Sequence, residues 1–336
     1  QRYSGELSKE FKEADAIIGV QKLHSSKTDS KISLTPAHYS YLKICESCYN
    51  KCSFCAIPSI KGKFASRSLE SILQEVERLD ARGVKELNLI GQDITSYGID
   101  LYKKKSLAFL LKKIIPVTNS IKWIRLLYNY PSNVTDELLE VIAKEDKICK
   151  YIDIPIQHIS DKILKAMNRR ETKKEIVGLI DKIRKEIPEA VIRTTMIVGF
   201  PGETENDFKE LMQFVDETGF DRLGAFMFSR EEGTKAFDMK GQIGERIKKE
   251  RYAKLMKLQQ KISHQRLEKH LGKKITVIID EKEKNEEDIY IGRSQYDAPE
   301  VDGVVYVRSS KGLNKGDFVV ADIKETHEYD LAGEAL

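Results

Sequence analysis

The 336-residue sequence contains no apolar run approaching the ~18 residues that a membrane-spanning helix requires. It also lacks a strong excess of one charge, since 57 Lys and Arg stand against 53 Asp and Glu, for a net of +4. With 40% hydrophobic and 33% charged residues, the chain has enough apolar material for a core, which excludes collagen-like, disordered and membrane proteins. We therefore expect a soluble, cytoplasmic protein without a membrane partner.

Cysteine is scarce, and its distribution is uneven. Only five cysteines occur, and four of them, Cys45, Cys48, Cys52 and Cys55, fall within eleven residues. The fifth, Cys149, stands alone. A secreted disulfide scaffold spreads an even number of cysteines along its chain, so that class is excluded. Crowding of this kind indicates metal ligation.

From residue 38 onward, short apolar segments alternate with segments of helical period. The predicted strands are Tyr39–Ile44, Glu86–Ile90, Trp123–Tyr128, Tyr151–Ile156, Val191–Val198 and Arg222–Phe228. Two helix starts between them resemble capping boxes, namely Thr172 with Glu175 and Thr204 with Asp207. Six strand–helix units predict an α/β fold with a parallel sheet. Because roughly 190 residues fall short of the ~250 of a complete eight-stranded barrel, we predict a partial (β/α)6 barrel.

The composition divides the chain into five segments. We predict a polar helix and short strand at 1–20, a linker at 21–37, the partial barrel at 38–244, a connecting basic helix at 245–271 and a small antiparallel β-barrel at 272–336. Residues 272–336 carry a net charge of −6, whereas the remaining residues carry +10. This asymmetry indicates that the C-terminal barrel is a separate module with a partner of its own.

The cysteine spacing is the most specific signal in the chain. Cys48-Tyr-Asn-Lys-Cys52-Ser-Phe-Cys55 has the pattern C-x3-C-x2-C and follows the first predicted strand. Three thiolates in one loop suit a four-iron cubane cluster and leave one iron open to another ligand. The loop also lies where the active sites of α/β barrels collect, at the carboxyl ends of the strands. We therefore expect Cys48, Cys52 and Cys55 to be the cluster ligands.

A structural zinc site, and hence a noncatalytic binding module, is the alternative for these cysteines. It would use Cys45-x2-Cys48 and Cys52-x2-Cys55. Zinc sites of this type separate their two pairs by roughly 15–20 residues, whereas only three residues intervene here. The spacing disfavours zinc, so we expect Cys45 to pack at the end of its strand. Cys149 is expected to behave as a small buried hydrophobe.

The cysteine motif, with Phe54 as its aromatic residue and six strand–helix units after it, resembles the radical S-adenosylmethionine (SAM) superfamily. The resemblance implies a [4Fe–4S] cluster and SAM as cofactors, with the amino and carboxylate groups of SAM on the open iron. It implies that an electron donor reduces the cluster, which then splits SAM into methionine and a 5′-deoxyadenosyl radical. Cofactors of this kind carry the chemistry while the protein positions them.

The same resemblance indicates which residues contact the cofactor. Gly91-Gln92-Asp93 follows the second predicted strand, and the fifth runs from Arg193 into a turn at Gly199. Glycine at such positions lets the backbone approach a ligand closely. The predicted cofactor contacts are Gly91, Gln92, Asp93, Gln157, Arg193 and Gly199.

Within the superfamily, the chain resembles the methylthiotransferases, whose C-terminal barrel is of the TRAM kind. Residues 223–234 and 296–303 resemble the branch that modifies the β-carbon of an aspartate in small-subunit ribosomal protein twelve. A C-terminal module of net charge −6, with Asp297, Glu300 and Asp302 close together, would attract a basic ribosomal protein and repel RNA. The alternative is the branch that modifies an adenosine in transfer RNA.

The family also carries a second, auxiliary [4Fe–4S] cluster, held by three cysteines of an N-terminal domain. In the family, the last of these cysteines lies just before a string like Gln1-Arg2-Tyr3. The resemblance therefore implies that residues 1–20 are a remnant of that domain. We expect the chain by itself to hold one cluster and cleave SAM without completing the methylthiolation.

Overall fold

The computed structural model describes residues 35–336, so the predictions for 1–20 and for most of the linker at 21–37 lie outside the described residues. The strands are β1 (Tyr39–Lys43), β2 (Cys45–Glu46), β3 (Ala65–Ser66), β4 (Glu86–Ile90), β5 (Trp123–Leu126), β6 (Ile148–Asp153), β7 (Val191–Val198), β8 (Arg222–Met227), β9 (Lys274–Lys282), β10 (Ile289–Ser294), β11 (Val305–Arg308), β12 (Phe318–Thr326) and β13 (Leu331–Ala335). The helices are α1 (Ile57–Lys61), α2 (Leu69–Ala81), α3 (Ile99–Tyr102), α4 (Leu107–Ile114), α5 (Asp136–Lys144), α6 (Asp161–Ala166), α7 (Lys173–Glu186), α8 (Glu205–Thr218) and α9 (Glu245–Leu267). Within 35–336, no helix is both long and apolar enough to span a bilayer.

Six strands form one sheet in the order β1-β4-β5-β6-β7-β8, and every neighbouring pair is parallel. Helices connect the strands, as parallel pairing requires. Side chains alternate along each strand, so that one set packs under the helices and the other lines the concave face of the sheet. The predicted α/β class and partial barrel are confirmed, and we call the space on the concave face the lumen.

Strand β6 begins and ends three residues earlier than the predicted segment Tyr151–Ile156. The apolar pattern misses this early start because Lys150 is charged. Its ammonium group donates to carbonyls at the end of α5, including that of Glu145 at 3.1 Å. Cations are favourable at a helix carboxyl end, which allows a lysine in a buried strand. The ladder ends before Pro155, which has no N–H to continue it.

The helices bury the apolar faces that their sequence period predicts. Both capping boxes are confirmed, at Thr172 and Glu175 for α7 and at Thr204 and Asp207 for α8. The connecting helix is also present, since α9 runs from Glu245 to Leu267 and a 3-10 turn continues it to His270. Helix α9 packs along β8 and α8, and so joins the parallel sheet to the C-terminal module.

The C-terminal module is a closed five-stranded barrel in the order β10-β11-β13-β12-β9. The predicted small β-barrel is confirmed, with one parallel pair, β11 with β13, among otherwise antiparallel pairs. Strand β13 has a weak sequence signal because Ala and Gly have low strand propensity. Gly333 is needed there, since a Cβ atom would lie 2.5 Å from the carbonyl oxygen of Asp322.

This barrel inserts the loop 293–302 into the lumen at the amino ends of the parallel strands. Arg222 pairs with Asp297 at 2.6 Å, and the Tyr151 hydroxyl donates to Asp302 at 2.6 Å. The Tyr39 hydroxyl donates to a third carboxylate of the loop at 2.7 Å.

These contacts correct one prediction. Asp297, Glu300 and Asp302 were expected to form an acidic surface for a partner protein. Asp297 is only 2% exposed, and all three carboxylates bind side chains of the parallel sheet instead. The acidic loop is therefore an intramolecular clamp, and the sequence offered no sign of the buried cations that face it.

The centre of the clamp is a buried ion network. Arg293 bridges Glu86 at 2.6 Å and Asp280 at 2.7 Å, and Arg125 lies on the other side of Glu86 at 2.9 Å. His38 contacts Asp280 at 2.7 Å. Burying charges costs free energy unless each one has a partner of opposite sign. The network meets that condition and closes the lumen at the amino ends of the strands.

Candidate cluster and cofactor site

The three cysteines of the C-x3-C-x2-C motif lie in the loop after β1 and β2, as free and half-buried thiols. Ser53 anchors this loop, because its N–H donates to the carbonyl of Met167 at 2.9 Å and its hydroxyl donates to Ala166 at 2.8 Å. A second anchor is the Asn168 amide, which donates to Lys51 at 2.6 Å. The segment after α6 therefore holds the cysteine loop at the carboxyl ends of the strands.

Each of the three sulfurs has an N–H donor of its own. Cys48 accepts from the backbone and side-chain nitrogens of Asn50 at 3.4 and 3.6 Å. Cys52 accepts from Arg169 Nη1 at 3.8 Å, and Cys55 accepts from the backbone N–H of Ile57. Burial raises the pKa of Cys48 to about 11, although the Asn50 donors oppose that rise. Donors to sulfur favour the thiolate, which is the form that binds iron.

Within residues 35–336, no three Cys, His, Asp or Glu side chains are gathered around the position of a single metal ion. A cubane puts each cysteine on a different iron, so its ligands stand farther apart than those of one zinc ion. Cys45 is fully buried, and its sulfur contacts the carbonyl of Asp93 at 3.5 Å. The choice of Cys48, Cys52 and Cys55 as cluster ligands, without Cys45, stays a prediction.

Asp93 holds the cysteine loop in place through its buried carboxylate. Its carboxylate is 1% exposed and accepts from Asn50 Nδ2 at 2.8 Å and from Asn133 Nδ2 at 3.0 Å. The hydroxyl groups of the 3-10 turn that follows it also donate to the same carboxylate. Asp93 therefore fixes Asn50, which in turn faces Cys48. Its direct contact with a cofactor stays a prediction.

Gly91 and Gln92 differ in what they offer a ligand. A Cβ atom on Gly91 would lie 2.5 Å from the sulfur of Cys45, so the glycine serves the packing of that cysteine. Gln92 is half-buried, and its Oε1 is buried without a hydrogen-bond partner. Of these two, Gln92 has the free polar atom that a bound cofactor could use.

Gln157 and Arg193 were both predicted as cofactor contacts, and they have different surroundings. Gln157 has a φ of 76°, its backbone bridges β7, and its side-chain Oε1 is buried without a partner. Arg193 pairs with Asp153 at 2.9 Å and approaches Asp302 of the C-terminal barrel at 3.7 Å. Arg193 therefore lies next to the clamp, on the side of the lumen where the strands begin.

Gly199 occupies the turn after β7, with a φ of 73° that only glycine adopts easily. Its N–H donates to Glu203 Oε2 at 2.6 Å, and the N–H of Phe200 donates to the same oxygen at 3.1 Å. Glu203 is itself held by Arg251 at 2.8 Å. A side chain at Gly199 would collide with Lys248 of α9. Glu203 and Arg251 hold this turn in place, and neither residue was predicted from the sequence.

Buried amide groups without partners test whether the residues present fit a polar cofactor. On the cysteine loop and on or just after strands β4, β5 and β6, five amide side chains have at least one buried polar atom without a partner in the described chain: Asn50, Asn88, Gln92, Asn129 and Gln157. Asn50 and Asn129 still donate through Nδ2, so only their oxygens are unpartnered. An unsatisfied buried polar group costs roughly 1–3 kcal/mol. A ligand with amino, carboxylate, hydroxyl and ring-nitrogen groups would satisfy them, so the residues fit SAM next to a cluster on the cysteine loop.

Arg169 and Asn50 were also missed by the sequence analysis. Asn50 lies inside the cysteine motif, where its proximity to Cys48 gave a usable signal. Arg169 is one of two consecutive arginines far from the motif in sequence, and only the folded chain brings it to Cys52.

Comparisons with known proteins agree with this geometry. The model of the radical SAM superfamily matches residues 42–215, and that of the TRAM domain matches residues 271–336. The chain is 49% identical over 99% of its length to the ribosomal protein uS12 methylthiotransferase RimO of Thermoanaerobacter sp. (strain X514), covering 81% of that protein. It is 46% identical over 100% of its length to the protein of the same name from Clostridioides difficile (strain 630), covering 80% of it.

A solved structure, the radical SAM enzyme coproporphyrinogen III oxidase (HemN) of Escherichia coli, superposes with a TM-score of 0.49 at 19% identity. The superposition covers 66% of this chain and 52% of that one, a likeness too weak to bear on function. The identities to the two methylthiotransferases extend over the barrel, the cysteine loop and the C-terminal module alike. The chain belongs to the radical SAM superfamily and, within it, to the RimO family of methylthiotransferases, a membership that implies a [4Fe–4S] cluster and SAM as its cofactors.

Proposed function

We propose that this chain acts on ribosomal protein uS12, at the β-carbon of an aspartate that receives a methylthio group. Cys48, Cys52 and Cys55 would hold the cluster, and the amides at the carboxyl edge of the lumen would bind SAM. The observation that carries this proposal is the cysteine loop, in which each sulfur has a separate N–H donor. The identity to uS12 methylthiotransferases over nearly the whole chain supports the choice of substrate.

When bound, the cluster and SAM supply a reductive cleavage that yields a radical able to remove hydrogen from an unactivated carbon. The chain's own residues place these groups. Asn50 and Arg169 donate to the sulfurs, and Asp93 fixes the orientation of Asn50. Gln92 and Gln157 would offer their buried Oε1 atoms, which have no partner in the described chain, to the donor groups of SAM.

The shape of the lumen restricts how a substrate can enter. The loop 293–302 fills the amino ends of the strands, which leaves the carboxyl edge as the approach to the cysteine loop. Two aromatic side chains are exposed near that edge, Tyr128 after β5 and Phe226 in β8. Exposed aromatic side chains of this kind are enriched where proteins bind other proteins. A peptide loop of a protein substrate fits this rim.

A basic partner protein is further supported by the outer face of the C-terminal barrel. Although its loop carboxylates bind side chains of the parallel sheet, other carboxylates line a groove of about 440 Å³ on this barrel. Four carboxylates line this groove, beside the two cations Arg308 and Lys324, so that its negative charges outnumber its positive ones: Glu283, Glu286, Glu325 and Glu334. A ribosomal protein rich in Lys and Arg would be attracted to this face, whereas RNA phosphates would be repelled.

The first experiment is anaerobic reconstitution followed by measurement of iron, sulfide and zinc. About four irons per chain, with an electron paramagnetic resonance spectrum that changes on SAM addition, is the expected result. Zinc in place of iron would overturn the proposal, and about eight irons would contradict the prediction of a single cluster.

The second experiment tests the substrate. The chain is incubated with SAM, dithionite and uS12 that carries deuterium on its aspartate β-carbons. Deuterium in the 5′-deoxyadenosine product is expected, and this readout does not require sulfur insertion. Deuterium transfer only from labelled transfer RNA would establish the alternative substrate and reject uS12.

A further inference from the structure

Arg169 is a nearly buried cation beside one cysteine of the motif. Its side chain is 3% exposed, and its Nη1 lies 3.8 Å from the sulfur of Cys52. The guanidinium group stacks on the Tyr130 ring at 4.0 Å and donates through Nη2 to the carbonyl of Pro155 at 2.9 Å. These contacts fix its orientation, so one edge of the guanidinium points to the sulfur.

The backbone keeps this pairing in place. The N–H of Ser53, the residue after Cys52, donates to Met167 at 2.9 Å. The Asn168 amide donates to the residue before Cys52. These two bonds flank Cys52 on both sides and tie it to the two residues that precede Arg169, so the sulfur and the cation are held in one arrangement.

The three sulfurs are electrostatically unequal. Cys48 and Cys55 accept from neutral amide donors, whereas Cys52 faces a positive charge. Glu171 lies behind the guanidinium, with Oε2 3.4 Å from Arg169 Nε, and it is 3% exposed. The pair forms a buried dipole whose positive end points to Cys52.

We propose that Arg169 is a positioning residue that sets the reduction potential of the cluster through Cys52. Reduction adds one electron to a cluster already surrounded by thiolates, and a nearby positive charge stabilises the added negative charge. The inference rests on the proposed function, because it requires the cluster to bind at this loop. Glu171 acts in the opposite direction, since its carboxylate weakens the field of the guanidinium.

The experiment is a potentiometric titration of the reconstituted chain with dithionite and mediators, followed by electron paramagnetic resonance. The variants are Arg169→Gln, Arg169→Lys and Glu171→Gln, each compared at equal iron content. Arg184→Gln is the matched control, because Arg184 donates to Thr218 and Gly219 at the end of α8 and has no contact with the cysteine loop.

Arg169→Gln is expected to lower the equilibrium constant for reduction about tenfold, a shift of 59 mV to more negative potential for a one-electron couple. Arg169→Lys keeps the positive charge but loses the planar guanidinium group, so its shift in potential should be smaller. Glu171→Gln retains an acceptor for the N–H of Ser132 and should shift the potential to more positive values. Arg184→Gln should not shift it.

Opposite shifts of the reduction potential in Arg169→Gln and Glu171→Gln would indicate an effect of charge. Loosened packing around the cluster would shift the potential of both variants in the same direction. A fully loaded Arg169→Gln cluster with an unchanged potential would overturn the inference while leaving the proposed function intact. If Arg169→Gln fails to hold iron, the other two variants test the inference. The expected shifts of Arg169→Lys and Glu171→Gln would support it, and unchanged potentials in both would overturn it. Failure of the parent chain to bind iron would instead overturn the proposed function.

Discussion

At the amino ends of the parallel strands, buried charged groups meet partners of opposite charge, whereas toward the carboxyl ends five amide side chains carry buried polar atoms without a partner in the described chain. The amino end is closed by the C-terminal barrel, and its ion pairs stabilise the fold. The carboxyl end leaves polar groups unsatisfied at a cost in stability. Unsatisfied groups of this kind are expected where a ligand completes them, so the contrast separates structure from function within one sheet.

Loss of a cysteine ligand should have the largest effect at the carboxyl end. Cys52→Ala removes one of three protein ligands, and we expect iron binding to fall to background after reconstitution. Cys45→Ala is the matched control. Cys45 is buried against Gly91 and is not one of the three predicted ligands, so this variant should retain about four irons. Iron and sulfide analysis measures both variants. Loss of iron in Cys45→Ala would instead favour the zinc-like use of four cysteines.

At the amino end, the largest effect is expected at the clamp. Arg293→Met leaves Asp280 without its main cation and removes one of the two partners of Glu86. Removing one partner of a buried pair costs about 3–5 kcal/mol, and urea unfolding should show a loss of that size. Lys112→Ala breaks the exposed pair with Glu137 and should leave the unfolding midpoint unchanged. Equal behaviour of the two variants would refute the structural role of the clamp.

A histidine gives the carboxyl end a pH dependence. His158 is fully buried, accepts from the Ser160 N–H at 3.0 Å and has Nε2 4.0 Å from Glu203. Burial lowers the pKa of His158 from 6.5 to about 4, with Asp207 opposing that shift and Arg251 and Lys162 adding to it. Below pH 6.5 the unfolded chain therefore binds a proton at this histidine, whereas the folded chain binds it only near pH 4. The free energy of unfolding decreases as the pH is lowered from 6.5 to about 4.

The expected loss between pH 7.5 and pH 5 is about 2 kcal/mol for this group. Urea unfolding of the parent and of His158→Gln at both pH values isolates it, because other titrating groups, including Glu203 with its raised pKa, are common to the two chains. The variant should lose about 2 kcal/mol less than the parent over this range. An identical loss in both would show that His158 can be protonated in the folded chain.

The sequence predicted those features that depend on local pattern. Alternating strands and helices and the two capping boxes each occupy a short window, and each was found in the structure. The cysteine spacing is equally local, and the cluster that it indicates stays a prediction. The clamp was not predicted, since Glu86, Arg125 and Arg293 lie on different strands and each by itself has the sequence of a solvated charge. Arg169 escaped for the same reason, because only the path of the chain after α6 brings it to Cys52.

The smallest expected effects compare one glutamine at each end of the sheet. Gln92 has a buried Oε1 without a partner, whereas Gln295 Oε1 accepts from the N–H of Lys150 at 3.1 Å. Gln295→Met should destabilise the chain by about 1 kcal/mol, because it leaves that N–H unpaired. Gln92→Met removes an orphaned acceptor, so the unliganded chain should keep its stability or gain up to about 1 kcal/mol.

The binding of SAM should show the reverse order. We expect Gln92→Met to weaken SAM binding to the reconstituted chain about tenfold, roughly the value of one hydrogen bond in a buried site, and Gln295→Met to leave it unchanged. Isothermal titration calorimetry measures the affinity of the two variants for SAM, and urea unfolding measures their stability. If Gln92→Met were destabilising and bound SAM normally, the amide would be a structural group and the two ends of the sheet would not differ as proposed. A gain in stability coupled to a loss of affinity is the signature of a polar group kept for its ligand.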